Sequence, residues 1–209
     1  PAYIDKVLTH FEAGEMLLLQ NEISNAPYAI EKGREKGLTV VFNPSPIGGG
    51  IGRCDLQKVD YLILNEVEGR QLADTDLEEA QTILEKLRQK YPKTVLVLTL
   101  GSRGSWYMNG KEAFYQGIFP AKTVDTTGAG DTFTGYFLAG IASGRPPREA
   151  MEYAAAASAI SVGRHGASPS IPAFDEVRLK MERLKESVLQ LPEQERRNET
   201  NETCMGIRL

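Results

Sequence analysis

The most informative segment of this 209-residue sequence is Asp125-Thr126-Thr127-Gly128-Ala129-Gly130-Asp131-Thr132-Phe133. It joins a glycine-rich turn to an acidic residue at the predicted start of a helix, directly after the strand-like Pro120–Val124. Backbone N–H groups at such a turn have no intrahelical partner and are suited to bind an anion. A carboxylate beside them would repel a phosphate, but it can take a proton from a hydroxyl that attacks a phosphoryl group. The segment therefore suggests phosphoryl transfer.

The same nine residues also have a structural interpretation, in which the glycines form a turn and Asp131 caps the helix. The coincidence of two glycines and two aspartates in nine positions favours the functional one. The segment is not a P-loop, because the Gly-Lys-Ser/Thr of that motif is absent.

Composition limits the class of protein. The hydrophobic content of 41% supports one large domain with a real core, and the net charge of −4 with no basic stripe argues against nucleic acid as a partner. No apolar run approaches the roughly 20 residues that span a bilayer. Cys54 and Cys204 are too far apart in sequence to indicate a disulfide framework, so we expect a reducing cytoplasm.

Apolar runs alternate with helical periodicity along the chain, which predicts an α/β fold with a mostly parallel sheet. The predicted strands are Met16–Leu19, Leu38–Phe42, Tyr61–Leu64 and Thr94–Thr99, and the predicted helices are Ala26–Lys36, Leu77–Tyr91, Gly130–Ser143 and Pro147–Val162. Asn109-Gly110, between Ser105–Met108 and Glu112–Tyr115, predicts a hairpin with a type I′ turn. Ligands bind beyond the carboxyl ends of parallel strands, where Glu22, Asn65 and Gly101 fall.

The composition changes near residue 179. We expect a main portion at residues 1–178, followed by a C-terminal helix and tail at residues 179–209. Lys180–Leu191 has an amphipathic helical pattern, whereas Pro192–Leu209 is charged, polar and poor in core residues. We therefore predict that Pro192–Leu209 is a mobile tail.

Several segments resemble the ribokinase family of carbohydrate kinases, the phosphofructokinase B type. The nine-residue segment is similar to the family's C-terminal signature. Other resembling segments follow in the family's order: Leu17-Leu18-Leu19-Gln20-Asn21-Glu22, Asn43-Pro44-Ser45-Pro46, Asn65-Glu66-Val67-Glu68, Thr99-Leu100-Gly101-Ser102-Arg103-Gly104 and Gly166-Ala167-Ser168-Pro169-Ser170-Ile171-Pro172. The resemblance covers roughly Pro1 to Pro172 and implies a ribokinase-like three-layer α/β/α fold.

The resemblance implies roles for the acidic residue and the glycine turn. Asp131 matches the general base that deprotonates the sugar hydroxyl, so it also touches substrate. Gly128, Ala129 and Gly130 match the anion hole, whose amides stabilise the transferring phosphoryl group of ATP. Glu22 matches a glutamate that hydrogen-bonds a sugar hydroxyl.

Other matches concern the nucleotide and Mg²⁺. Asn65 matches a nucleotide-site residue, and Glu68 a residue that organises Mg²⁺ through water. Taken without the rest of the chain, the two residues favour an ordinary variant of the helix capping box. The remaining nucleotide-binding matches are Thr99, Gly101, Ser102 and Gly104, for which an ordinary turn at a strand end is the alternative.

A K⁺ site is the last feature that the resemblance implies. Asp125 and Thr127 match one half of it, and Ser161, Arg164, Gly166 and Ser170 match the other. The ion would lie beside the anion hole and orient its dipoles. Asp125 as a simple turn residue is the alternative.

The expected activity is ATP-dependent phosphorylation of a small sugar, foremost D-ribose to ribose 5-phosphate. Alternatives are fructose, 2-keto-3-deoxygluconate or a nucleoside as substrate, or a catalytically silent chain that binds only nucleotide or a partner. The family's N-terminal strands, lid and sugar-gripping Gly-Gly segment have no counterpart here. We therefore expect the 209-residue chain alone to be inactive, and the parent protein to be a homodimer, since relatives dimerise through the lid.

Overall fold

The computed structural model describes residues 1–48, 50–189 and 206–207. The chain divides into two compact units. The first comprises Pro1–Thr99 and Met108–Glu112, and the second comprises Leu100–Tyr107 and the described residues from 113 onward.

The first unit is built on four parallel strands, which lie side by side in chain order. They are β1 (Met16–Gln20), β2 (Thr39–Asn43), β3 (Tyr61–Asn65) and β4 (Val95–Thr99). In β2, β3 and β4 the three central residues are all buried, as expected for parallel strands covered on both faces. β1 differs, because its central Leu18 is 46% exposed. Each of these strands lies within one residue of its predicted bounds.

The helices of the first unit are α1 (Ala2–Leu8), α2 (Ala26–Glu35), α3 (Glu66–Ala73) and α4 (Ala80–Lys90). Two glycines allow α2 and α3 to approach their neighbours closely. A Cβ on Gly33 would lie 2.6 Å from Leu17, and one on Gly69 would lie 2.9 Å from Leu98. α4 begins at Ala80, three residues after the predicted start, because Leu77 is exposed and precedes the first buried turn.

The hairpin strands are β5 (Ser105–Met108) and β6 (Ala113–Gln116). The predicted type I′ turn is wrong, because neither Asn109 nor Gly110 has the positive φ that this turn requires. The Asn109 side chain instead accepts hydrogen bonds from the amides of Lys111 and Glu112, at 2.7 and 2.9 Å. These two hydrogen bonds hold residues 109–112 in a four-residue loop between the strands. β6 also pairs antiparallel with β7 (Gly206–Ile207).

The helices of the second unit are α5 (Ala129–Ala142), α6 (Pro147–Ser161) and α7 (Phe174–Leu189). α5 and α6 pack closely where Gly140 meets Ala150, since a Cβ on Gly140 would lie 2.9 Å from the Ala150 Cβ. α7 starts six residues before the predicted Lys180. It runs without interruption across residues 178 and 179, and its Val177 and Met181 are buried in one cluster with Ala156 and Ala157.

The predicted strand at Pro120–Val124 is wrong, because this segment has no regular structure. The amides of Val124 and Asp125 both donate to the carbonyl of Val162, at 2.7 and 3.2 Å. Two donors that share one acceptor at a helix end cannot form a strand ladder, and Pro120 has no N–H to contribute. The segment is thus attached to the end of α6.

Two further expectations concern the chain as a whole. In the described residues, no helix has the length and apolar character needed to cross a membrane. The predicted tail at Pro192–Leu209 lies outside the described residues, apart from β7.

Candidate active site

The predicted site residues fall into two groups, one in each compact unit. In the second unit, α5 begins directly after Gly128, which has a left-handed φ of +72°. A Cβ at this glycine would lie 3.2 Å from both the Cα and Cβ of Ala167. Backbone geometry and close contact therefore both require glycine here.

Asp131 lies in the first turn of α5 with its side chain exposed. Beside it opens a cavity of about 380 Å³, whose walls include Gly135 and Ala139 of α5 and Tyr153 and Phe174 opposite. The two rings are stacked with centroids 5.8 Å apart. The carboxylate is therefore accessible to a small molecule, as a general base must be.

The three predicted amide donors differ in their surroundings. The N–H of Ala129 donates to the Thr126 carbonyl at 3.2 Å. Apart from its chain neighbours and the backbone of its own helix, Gly130 has no heavy atom within 4 Å of the position that a Cβ would take, so space is open there. Helix geometry leaves the first amides of α5 without i−4 partners, and the helix dipole places positive potential there. The turn is thus suited to an anion, with Gly130 as its most accessible part.

Asp125 holds the turn to the loop that follows α6. Its Oδ1 accepts hydrogen bonds from the Thr127 hydroxyl at 2.7 Å and from the Thr127 amide at 2.9 Å. Its Oδ2 accepts one from the Gly166 amide at 2.9 Å. These bonds, the Thr127 hydroxyl first, lower the pKa of Asp125 to about 2. The carboxylate is thus ionised at neutral pH. Its hydrogen bond from Gly166 also joins the two halves of the predicted K⁺ site.

The other predicted K⁺ residues lie in and beside that loop. Ser161 and Ser170 are fully buried, and their hydroxyl oxygens are 2.8 Å apart. The Ser161 carbonyl accepts the Arg164 amide at 3.0 Å. The Arg164 guanidinium makes a two-pronged contact with Glu176 of α7, at 2.5 and 3.4 Å, which lowers the pKa of Glu176. Arg164 therefore anchors the loop to α7 through its side chain.

In the first unit, Asn65 and Glu68 form a complete capping box at the start of α3. The Asn65 side chain accepts the Glu68 amide, and Glu68 Oε2 accepts the Asn65 amide, both at 2.9 Å. Glu68 is only 5% exposed. The capping interpretation of the sequence is thus correct, and it leaves the second carboxylate oxygen for another partner.

Thr99 and Glu22 lie at the same carboxyl edge of the sheet. Thr99 is opposite Asn65 in the β3–β4 pair, and its hydroxyl donates to the Leu64 carbonyl at 3.2 Å. Glu22 is exposed in the turn after β1, two strands away from β3. The structure therefore brings Asn65, Glu68 and Thr99 together and places Glu22 farther along the edge.

The glycines predicted to line the nucleotide pocket have different reasons to be glycine. Gly104 has a φ of +79°, and a Cβ there would lie 2.4 Å from the Gln116 carbonyl oxygen. Its role is close packing on β6. Gly101 also has a positive φ, but no atom lies near its Cβ position, and Ser102 beside it is exposed. Gly101 and Ser102 are therefore exposed, with space beside the Gly101 Cα.

Sequence reasoning missed two side chains at the first turn of α5, those of Ser158 and Thr132. The Ser158 hydroxyl donates to the Ala129 carbonyl at 3.2 Å, and the Thr132 hydroxyl donates to Ser161 at 3.4 Å. The available signal was the spacing of Ser158 and Ser161, three residues apart in an alanine-rich helix, which places both on one face.

The donor sets fit the predicted ions in different ways. Within the described residues, no three His, Cys, Asp or Glu side chains are grouped so that they could hold a metal ion. Mg²⁺ keeps several waters and needs only one or two carboxylates, so a half-engaged Glu68 suits a contact through water. The ionised Asp125, with carbonyl-bearing loops beside it, suits a monovalent cation.

Comparison with known proteins identifies the family. A sequence profile described as pfkB family carbohydrate kinase matches residues 33–173. The chain belongs to the pfkB family of carbohydrate kinases. A ribokinase from Lactococcus lactis is 32% identical over 189 residues, which are 88% of this chain and 59% of that protein. A ribokinase from Schizosaccharomyces pombe is 34% identical over 185 residues, covering 84% of this chain and 58% of that one.

The fold agrees with this assignment to the pfkB family. The structure of Arabidopsis thaliana ribokinase complexed with ribose and ATP is 30% identical, with a TM-score of 0.70. The match covers 78% of this chain and 55% of that one. The predicted ribokinase-like α/β/α fold is therefore confirmed. The chain spans less than two thirds of the length of each of these relatives.

Proposed function

We propose that this chain is the phosphoryl-transfer portion of an ATP-dependent sugar kinase, whose preferred acceptor is D-ribose and whose product is ribose 5-phosphate. The observation that carries the proposal is the exposed Asp131 on the first turn of α5, directly after the left-handed Gly128. The proposed base and the proposed anion-binding turn are thus adjacent at the start of one helix. The resemblance to ribokinases supports the choice of ribose.

In the proposed reaction, Asp131 removes the proton from the terminal hydroxyl of the sugar. The oxygen attacks the γ-phosphorus of ATP, the bond from that phosphorus to the bridging oxygen breaks, and ADP leaves with the electron pair. Negative charge on the transferring group is stabilised by the amides at the start of α5, foremost Gly130. Glu22 is proposed to accept a hydrogen bond from another sugar hydroxyl.

Gly101, Ser102 and Gly104 are proposed to contact the nucleotide in the second unit. In the first unit, Asn65 and Thr99 are proposed to be nucleotide-binding residues. Mg²⁺, when bound, would neutralise phosphate charge, and Glu68 would hold one of its waters. K⁺, when bound, would sit at the Asp125 loop and strengthen the dipoles of the anion turn. The Asp125 carboxylate already aligns that loop through Thr127 and Gly166.

A chimera tests the proposal. The N-terminal part of Lactococcus lactis ribokinase that has no match here would be fused before Pro1, and ADP formation measured with ribose, fructose, 2-keto-3-deoxygluconate and adenosine, in K⁺ and in Na⁺. We expect turnover with ribose in K⁺, and none by the 209-residue chain alone. Turnover with fructose only would replace the substrate. A folded chimera that binds ATP but phosphorylates nothing would overturn the kinase proposal.

The second candidate is a catalytically silent chain that binds only nucleotide or a partner. The chain spans 59% of the length of the Lactococcus lactis protein, so this candidate also has to be tested in the chimera. The same assay separates the two, because a silent chain would bind ATP and remain without turnover in the chimera.

A further inference from the structure

Three buried hydroxyl groups lie in a row between α5 and the loop after α6. They belong to Thr132, Ser161 and Ser170, which are 2%, 0% and 0% exposed. The Thr132 and Ser161 oxygens are 3.4 Å apart, and the Ser161 and Ser170 oxygens are 2.8 Å apart. We call these three residues the hydroxyl chain.

The direction of the hydroxyl chain follows from counting protons. The Ser170 hydroxyl donates to the Ala167 carbonyl at 2.6 Å, which uses its only proton. Ser161 must therefore donate to Ser170, and Thr132 donates to Ser161. Each proton is used once, so the hydroxyl chain is ordered from α5 towards the loop.

Both ends of the hydroxyl chain meet the turn that carries Asp131. Thr132 is the next residue of α5, and its amide donates to the Gly128 carbonyl at 2.8 Å. Ala167, at the other end, is the residue against which Gly128 packs. The hydroxyl chain thus closes a ring of contacts that passes through the turn.

We infer that Thr132 and Ser161 are positioning residues, which hold the first turn of α5 in a fixed relation to the 166–170 loop. The inference rests on the proposed function, because it assigns the hydroxyl chain to the alignment of Asp131 and the anion turn. A buried hydrogen-bond series is rigid when every member is satisfied, and loss of one member leaves a neighbour without a partner. A small displacement of a catalytic group has a large effect on rate.

A matched set of variants in α5 and α6 tests the inference. Thr132→Val removes the hydroxyl and keeps the branched shape, whereas Thr132→Ser keeps the hydroxyl. Ser161→Ala breaks the hydroxyl chain in its middle. Thr134→Val makes the same chemical change at a buried threonine two residues on, outside the hydroxyl chain.

The first measurement is hydrogen exchange of the wild-type chain and its variants, which needs no activity. We expect Thr132→Val and Ser161→Ala to speed exchange of the hydrogen-bonded amides of Ala129, Thr132 and Gly166 by about tenfold, the scale of one lost buried hydrogen bond. Thr132→Ser and Thr134→Val should change it by less than about threefold. Equal acceleration in all four variants, or in none, would overturn the positioning role.

The second measurement is kinetic and uses the chimera. Thr132→Val and Ser161→Ala should lower kcat by about tenfold or more while the KM values for ATP and ribose stay within about twofold, and Thr132→Ser should restore kcat. An unchanged kcat in a variant with faster exchange would leave the hydroxyl chain structural only and contradict the inference. Absence of activity in the wild-type chimera would instead contradict the proposed function, and the exchange measurement would still decide the inference.

Discussion

At the scale of single residues, the two aspartates of the 125–133 segment have different surroundings. Asp131 is exposed beside a cavity, whereas Asp125 receives three hydrogen bonds through its two oxygens. The first arrangement leaves a carboxylate accessible to a hydroxyl group. The second fixes a carboxylate in its ionised form and orders the loops around it.

The lowered pKa of Asp125 has a consequence for stability. Because the pKa is about 2 in the folded protein and 3.8 in an ordinary aspartate, the carboxylate stabilises the fold above pH 4 and loses this effect as the pH falls towards 2. Asp125→Asn should therefore lower the urea midpoint at pH 7, with a difference from wild type that shrinks below pH 4.

The control for that titration is Asp76→Asn, which changes an exposed aspartate elsewhere. Its urea midpoint should follow wild type throughout. If the urea midpoint of Asp125→Asn stayed below that of wild type by a constant amount from pH 7 to pH 2.5, the charge of Asp125 would not be what stabilises the fold.

At the scale of secondary-structure elements, the start of α5 depends on one glycine more than on its neighbour. Gly128→Ala would force a left-handed residue and a contact with Ala167, so we expect a loss of about 1–3 kcal/mol. Gly130→Ala meets open space and gains helix propensity, so its stability should equal or exceed that of wild type. Urea denaturation of both variants checks this, and equal destabilisation would contradict it.

The start of α3 allows capping and metal binding to be separated. Asn65→Ala should cost about 1 kcal/mol of stability through loss of the cap.

Glu68→Gln keeps an oxygen that accepts the Asn65 amide but removes the charge. We expect it to weaken ATP binding in Mg²⁺ and to leave binding in EDTA unchanged, as measured by calorimetry on the chimera. If Mg²⁺ strengthened ATP binding equally in wild type and in Glu68→Gln, the proposed role of Glu68 would be excluded.

Much of the element pattern could be predicted from the sequence because the signals were local. Apolar runs predicted the bounds of β1 to β4 to within one residue, and helical periodicity did the same for α5 and α6. Pro120–Val124 was mispredicted because its acceptor, the Val162 carbonyl, is distant in sequence. The Asn109 loop was mispredicted because a side chain replaced the expected backbone geometry.

The candidate site was less accessible to prediction from residues alone. The hydrogen bond that the Gly166 amide donates to Asp125 joins residues 41 positions apart, and no local pattern indicates it. The contact of Thr132 with Ser161 spans 29 positions and depends on how α5 packs against α6. Only the resemblance placed Asp125 and Gly166 in one site, and it did not include Thr132.

At the scale of the whole molecule, the chain holds the predicted base and anion turn in one compact unit and the capping-box residues in the other. It spans 59% of the length of the Lactococcus lactis ribokinase. We therefore propose that these residues transfer phosphate when they are joined to the remaining part of a ribokinase.

The decisive measurement is the transfer of labelled phosphate from γ-labelled ATP to ribose by the chimera, with and without the single change Asp131→Asn. Removal of the base should slow formation of labelled ribose phosphate by about 10²–10⁴-fold while ATP affinity stays the same. Formation of the labelled product at equal rates by wild type and Asp131→Asn would show that Asp131 is not the base.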